Sequence, residues 1–395
     1  MSDTMYADIG YQSLLKDGQF VCGDHVERID RDDGSVVLVL ADGLGSGVRA
    51  CILSTLTSTI LSRLVAEDIP VSTRIHAVVA ALPISSVLQL AYSTFTVINI
   101  SPSGRAILIQ YDNPGLILFR DGQEKPIHFL QTTIEEKTIE SAEVQLQEGD
   151  VLMVFSDGAE NAGVGPGMSY VYSWGRDNIA EYMAPFSRVG FSAKTLNTMF
   201  LDECSRRYGG KPGDDTTSLT VCMRTRKQAN LLIGPPANRD DDDKMLSLFF
   251  AKQGRHIVCG GSTARLAAQY LNKPLTVVMN QKDTDDDIPA LGRIEGVDLV
   301  TEGIITLQRG LAYAQNYLED NSAYTQWCYK RDGAAFIARM LFEEATDINF
   351  FVGRAANPAH QSPDLPLNFS TKMQIVYDLS ECLKKMGKTI RVSYF

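Results

Sequence analysis

Apolar residues along the first half of the chain fall into two rhythms. The dense runs QFVCGDHVERID and SVVLVLAD read as strands joined by the turn-forming RDDG. GVRACILSTLTSTILSRLVAEDI follows with apolar positions at helical spacing, as does VSTRIHAVVAAL. A β-rich tract comes next, where FTVINI-SPSG-RAILIQYD and GLILFR-DGQE-KPIHFL each predict a strand pair around a glycine-containing turn. GDVLMVFSDG predicts a short buried strand ending on Asp-Gly. FSAKTLNTMFLDECSRRYGG predicts a helix with a glycine stop, and TTSLTVCM a closing strand. Strands and helices grouped in blocks predict an α+β layered fold.

The texture changes at RTRKQAN, residues 224 to 230. LLIG, RHIVCGG, PLTVVMN and VDLVTEG are short apolar strands with helical patterns between or after most of them. Such alternation predicts a doubly wound α/β domain with a mainly parallel sheet. The short basic and polar linker places the boundary near residue 227, giving domains 1–226 and 227–395. The run DDDDK, Asp240 to Lys244, reads as the acidic first turn of a helix.

Composition narrows the function classes. A length of 395 residues allows two or three domains, each with a sizeable core. The formal charge of −11 disfavours nucleic acid and anionic membrane as partners. The seven cysteines are scattered without a CxxC pair, which predicts reduced thiols rather than a disulfide scaffold. MSDTMYADIG is no signal peptide, and no apolar run approaches the roughly 20 residues of a membrane helix. The expectation is a cytoplasmic protein.

Acidic residues recur at the edges of the predicted strands: Asp24 in VCGDHVE, Asp42 in VLADGLGSG, Asp157 in MVFSDGAEN, Asp214 and Asp215 in PGDDTTSLTV. Taken singly, each reads as a turn. Ends of neighbouring strands converge, however, so these carboxylates can meet, and carboxylates that meet without Arg or Lys must hold protons or cations. With five His in the chain and none clustered, the donor set is all oxygen, which favours Mg²⁺ or Mn²⁺ over zinc.

The pieces GDHVERIDRDDGSVVLVLADGLGSGVRA, DVLMVFSDGAENA and GDDTTSLTV, in that order over residues 20 to 223, resemble the metal-dependent protein phosphatases of the PPM family. The resemblance is closest to the bacterial signalling branch typified by the sporulation phosphatase SpoIIE, and it stops short of the second domain. It implies an αββα sandwich and a hydrolase acting on phosphoserine or phosphothreonine of a regulatory protein, such as an anti-sigma-factor antagonist. It implies two Mn²⁺ or Mg²⁺ ions with a bridging hydroxide as nucleophile, and no other cofactor. Carried over, Asp42 bridges both metals and the Gly43 carbonyl binds the second, which Asp24 also holds. Asp157 and Asp214 complete the first metal, with Asp215 the alternative to Asp214. Asp42, Asp24, Asp157 and Asp214 are then the catalytic set. One departure stands out: Leu44 occupies the position where many eukaryotic members carry a proposed general-acid His. Protonation of the leaving group falls to metal-bound water or to His25, and Arg28 and Arg49 are the candidates for holding phosphate.

Other readings compete. CGDHVER (Cys22 to Arg28) and CGGSTAR (Cys259 to Arg265) match the spacing of cysteine-dependent phosphatases, in which a thiolate loop cradles phosphate. The first overlaps Asp24 and lies in a strand. The second lacks a His before the Cys and a Gly three residues after it, and also reads as a buried Cys with Gly-Gly-Ser as turn and N-cap. GGST and IGPP at strand ends suggest an anion or nucleotide site, with the loops Gly234 to Pro236 and Gly260 to Thr263 facing a ligand. The second domain is therefore expected to sense or dock, or to mediate a homodimer. A phosphatase-like scaffold without catalysis, binding a partner or a small ligand, is the third class.

Overall fold

The computed structural model describes residues 5–67, 73, 93–134, 137–164, 172–278, 291–355 and 371–395. The helix expected at VSTRIHAVVAAL falls, but for Thr73, outside them. The chain forms two compact units, Met1–Thr225 and Arg226–Phe395.

The first unit contains β1 (Met5–Leu14), β2 (Asp24–Asp30), β3 (Val36–Gly43), α1 (Gly47–Ala66), β4 (Ser93–Ile100), β5 (Arg105–Tyr111) and β6 (Ile117–Arg120). It continues with β7 (Gln123–Lys125), β8 (Leu130–Ile134), β9 (Lys137–Gln145), β10 (Val151–Phe155) and the single turn α2 (Asp157–Glu160). It ends with α3 (Arg176–Ser187), α4 (Ala193–Arg207) and β11 (Thr216–Thr225). Two antiparallel sheets result, ordered β2-β3-β4-β5-β9-β8 and β1-β11-β10-β6-β7. Leu38, Leu40, Ile98 and Leu108 of the first sheet pack with Leu118, Leu152, Val154 and Leu219 of the second in one core. Val37, Val39 and Ala41 point the other way and pack with Leu61 and Val65 of α1. VVLVLA is continuously apolar because both faces of β3 are buried. On the far side, α4 lies against β1 and β11. This is the αββα layering that the PPM resemblance implies.

Three local expectations are corrected. MYADIGYQSL, assigned to no element from its sequence, is β1, paired with β11 over its whole length. Its Met5, Ala7 and Ile9 alternate onto the inter-sheet core. The second expected hairpin closes on β7 alone, because Pro126 interrupts the ladder. The strand expected in KPIHFL begins only at Leu130 and pairs with β9 in the other sheet. Finally, α1 is a 20-residue helix that is apolar enough by length and composition to cross a membrane. It lies on β2 and β3 instead, with an inverted pattern. Ala50, Ser54, Thr57 and Ser58 are buried, while Val48, Ile52 and Leu56 are exposed. Small side chains let the helix approach the sheet closely, and the Ser54, Ser58 and Ser62 hydroxyls donate to carbonyls one turn back.

The second unit contains β12 (Gln228–Ile233), α5 (Asp242–Phe250), β13 (Arg255–Cys259), α6 (Gly261–Leu271), β14 (Thr276–Val278), β15 (Leu291–Arg293) and β16 (Leu299–Thr301). It continues with α7 (Ile304–Glu319), α8 (Tyr324–Cys328), α9 (Gly333–Ala338), β17 (Asp347–Val352), α10 (Thr371–Lys385) and β18 (Thr389–Tyr394). The sheet runs β14-β15-β16-β13-β12-β17-β18. It is parallel from β16 to β18, and β14 and β15 add an antiparallel edge, so PLTVVMN supplies an edge strand and the sheet is mixed. Strand order reverses at β12, the usual place for a crevice in such folds. The acidic run reads as expected, with Asp242 and Asp243 in the first turn of α5. The N-cap of α6 is Gly260, at φ 107°, rather than Ser262.

Candidate functional site

The five acidic residues come from both sheets of the first unit and meet at one end of the sandwich. Asp24 opens β2 directly opposite Asp42 on β3. Asp157 starts the turn after β10, and Asp214 and Asp215 lead into β11, the neighbour of β10. Ser156 ties the sheets together. Its Oγ donates to Asp24 Oδ2 at 2.7 Å and accepts from the Thr217 N–H at 2.9 Å. Asp215 does the same with main chain, its two oxygens accepting the Lys16 N–H at 3.0 Å and the Gly23 N–H at 2.9 Å.

Close approach sets the glycines here. A Cβ on Gly158 would lie 2.1 Å from the Asp215 carbonyl oxygen, and one on Gly43 would lie 2.1 Å from the Ala50 carbonyl oxygen. Gly43 therefore has a packing reason, the seating of α1 on β3, independent of any cation.

Electrostatically the cluster is under-compensated. Burial first, then Asp24 and Asp157, push the Asp42 carboxyl up to about 10. Burial likewise pushes Asp24 up to about 6. Asp157 is exposed on one side, yet partial burial and then Asp214 raise it too. Lys16 Nζ lies 3.3 Å from Asp214 Oδ1, but no basic side chain pairs with Asp24, Asp42 or Asp157 among the described residues. Asp24 Oδ1 is buried without a hydrogen-bond partner.

Among the described residues, no three His, Cys, Asp or Glu side chains are drawn together as a ready-made metal cage. The donor chemistry nevertheless fits a hard divalent cation: all oxygen, held between two sheets, carrying raised carboxyls and one orphan acceptor.

The remaining candidates separate from the cluster. His25 faces the opposite side of β2, its Nδ1 2.8 Å from Ser58 Oγ on α1. Arg28 is committed to Asp30 through a guanidinium fork at 2.7 and 2.9 Å. Arg49 is exposed in the first turn of α1, and Leu44 is exposed just before it. Cys259 is fully buried, accepts from Thr301 Oγ1 at 3.4 Å, and its thiol is pushed up to about 12 by burial. Cys22 is likewise raised to about 12, by burial first. Neither is an activated thiolate. Sequence reading missed Ser156 and Lys16, since Ser and Lys carry no signal until the sheets are stacked.

Comparison with known proteins gives the same region. Residues 32–224 match the family described as Stage II sporulation protein E (SpoIIE). No curated protein matches the chain by sequence. The chain is similar to the solved phosphatase domain of the cell fate determinant SpoIIE from Bacillus subtilis, with 19% identity and a TM-score of 0.43, covering 57% of this chain and 95% of that one. A second Bacillus subtilis SpoIIE structure, the PP2C phosphatase domain with a fragment of the regulatory domain, shares 19% identity at a TM-score of 0.46, over 56% of this chain and 64% of that one. The RsbU and RsbW domains of a Mycobacterium tuberculosis protein share 18% identity at a TM-score of 0.43, over 62% and 70%. Over residues 32–224, a little under half of its length, the chain is similar to the family described as Stage II sporulation protein E.

Proposed function

We propose that the protein is a metal-dependent serine/threonine protein phosphatase whose site is the carboxylate cluster between the two sheets. The observation that carries this reading is the meeting of Asp24, Asp42 and Asp157 with raised carboxyls and no basic partner among the described residues. Two Mn²⁺ or Mg²⁺ ions held there would lower the pKa of water and offset charge on the phosphoryl oxygens. Asp42 is central because it faces both Asp24 and Asp157, so it suits the bridging role, with the Gly43 carbonyl beside it. Asp214 is half-buried beside Asp157 and suits the ligand role better than Asp215, whose oxygens are occupied by two main-chain N–H groups. Asp215 then acts as a clamp that positions the strand carrying Asp24. Ser156 keeps the Asp24 carboxylate turned toward the cluster.

The substrate of this reading is a phosphoserine or phosphothreonine on a regulatory protein in the cytoplasm, of the anti-sigma-factor-antagonist type. The test uses the full chain with p-nitrophenyl phosphate and a phosphoserine protein, alongside calorimetric titration with Mn²⁺. The reading requires hydrolysis that EDTA abolishes and Mn²⁺ restores, and Mn²⁺ binding that Asp42→Ala removes. Turnover that persists in EDTA, or in Asp42→Ala, sinks it. A silent scaffold would instead bind a phosphoprotein without turning over either ester.

For the second unit we propose a sensor or docking role. Its support is that the two glycine loops meet at the ends of parallel strands, the Gly234 N–H donating to Thr263 Oγ1 at 2.9 Å.

A further inference from the structure

Beside the carboxylate cluster, the first unit opens into a pocket of about 580 Å³. Asp157 belongs to both: it faces Asp42 on one side and lines the pocket on the other. A side chain seated in the pocket would therefore lie next to a phosphoryl group held at the cluster.

The lining has one sign. Among the described residues, Asp112, Glu140, Asp157 and Glu160 contribute carboxylates, against the one ammonium of Lys137. With Asp157 assigned to a cation, three carboxylates still face one lysine. Among the described residues, the Glu140 oxygens accept from the neutral amides of Gln110 Nε2 at 2.6 Å and Gln131 Nε2 at 3.1 Å, which hold the carboxylate in place without cancelling its charge.

Asn113 forms part of the pocket wall. Asp112, at φ 48°, turns the chain between β5 and β6 so that Asn113 points inward, only 9% exposed. Its Nδ2 donates to Thr96 Oγ1 at 2.8 Å, and its Oδ1 is left buried with no donor. The carboxylates that line the pocket favour a ligand that is cationic and rich in N–H groups. An anion would be repelled there.

We propose that this pocket selects the phosphoprotein by taking an arginine or lysine side chain close in sequence to the phosphorylated residue. The cation lies among Asp112, Glu140 and Glu160. Arginine suits it better than lysine, because its planar fork can serve two carboxylate oxygens together. The proposal deepens the phosphatase reading and rests on it.

The experiment uses the Mn²⁺-loaded full chain and a set of phosphoserine peptides carrying arginine, alanine or glutamate at each flanking position in turn. Turnover gives kcat/KM, and fluorescence anisotropy of the labelled peptides gives affinity independently of chemistry. Arginine at one position should raise both over alanine by about tenfold, the scale of one charge-assisted hydrogen bond, and the gain should shrink with salt. Glutamate there should lower both. In Glu140→Gln and Asp112→Asn the arginine gain should fall to about twofold or less. Hydrolysis of p-nitrophenyl phosphate, which has no flanking residue, should be unchanged in both variants. If the wild-type protein does not hydrolyse p-nitrophenyl phosphate at all, the phosphatase reading falls and takes this proposal with it. If it does, but is indifferent to arginine at every position, the proposal alone is overturned. An arginine preference that survives both substitutions overturns it as well.

Discussion

In the first unit the ends of β2, β3, β10 and β11 present carboxylates to one another. In the second, the ends of β12, β13 and β17 present glycine main chain, and Lys372 of α10 is buried beside it. Lys372 Nζ donates to the carbonyls of Gly353 and, at 3.3 Å, Ala355. Burial lowers the Lys372 pKa, but main-chain oxygens complete its shell. Asp24 and Asp42 have no such completion, and their carboxyls rise instead. Strand ends are a natural meeting place for chemistry in both architectures. The difference is that the first meeting place needs something from outside to be electrostatically satisfied, whereas the buried charge of Lys372 in the second is satisfied by main-chain carbonyls.

The strongest way to break this contrast is Asp42→Ala. Losing the residue that faces both Asp24 and Asp157 should cut p-nitrophenyl phosphate turnover by at least ~10²-fold in Mn²⁺, the scale of one lost transition-state electrostatic contact. A steady-state rate within a few-fold of wild type would show that the cluster is not the site.

Matched glycine substitutions test whether each strand end is closely packed. A Cβ on Gly353 would lie 2.0 Å from the Pro235 carbonyl oxygen, and one on Gly43 2.1 Å from that of Ala50. Gly353→Ala and Gly43→Ala should each cost about 1–3 kcal/mol in urea denaturation, from forced backbone shifts. Glycine to alanine at Gly149, where nothing stands within 4 Å but φ is 87°, supplies a control for conformational strain alone.

Metal and pH sharpen the electrostatic half of the contrast. An acid whose folded pKa lies above its unfolded value of about 3.9 keeps its proton longer when folded. The stability it lends is complete below the unfolded value and is lost as pH rises through the folded one. With Asp24 at about 6 and Asp42 at about 10, the metal-free protein should lose thermal stability as pH rises from about 4 to about 6, and further above that. Mn²⁺ should offset the loss, so its effect on Tm should grow with pH over the same range. A Tm increment from Mn²⁺ that is flat between about pH 5 and pH 8 would contradict the cluster as the binding site.

The smallest effect is expected at Cys259. Its raised, fully buried thiol predicts that Cys259→Ala leaves turnover within about twofold, although the small void costs some stability.

Much of the αββα unit was legible before folding, because β3 and β10 are apolar on both faces and announce themselves as continuous runs, while β4 and β11 are rich in β-branched residues. The acidic residues were legible for a related reason: a carboxylate at the end of such a run is hard to explain as core. β1 was not legible. Its face away from the core carries the polar Asp8 and Gln12, which meet α4, and only its ten-residue ladder with β11 makes it a strand. The face of α1 was not legible either, since sequence periodicity places Val48, Ile52 and Leu56 inside, while the close seat on β3 admits only small side chains.

What the sequence by itself determined is local: where apolar runs begin and end, and which of them finish on an aspartate. Only the tertiary structure decided which partners those aspartates meet. Ser156 reaches Asp24 across 132 residues of chain, and Lys16 reaches Asp215 across 199. Periodicity spans a few turns or a single strand, so it cannot report such pairs. The orphaned oxygen of Asn113 belongs to the same class. Its amide is spent on Thr96 of the neighbouring strand, and that bond exists only once β4 and β5 are paired and the turn after Tyr111 has closed.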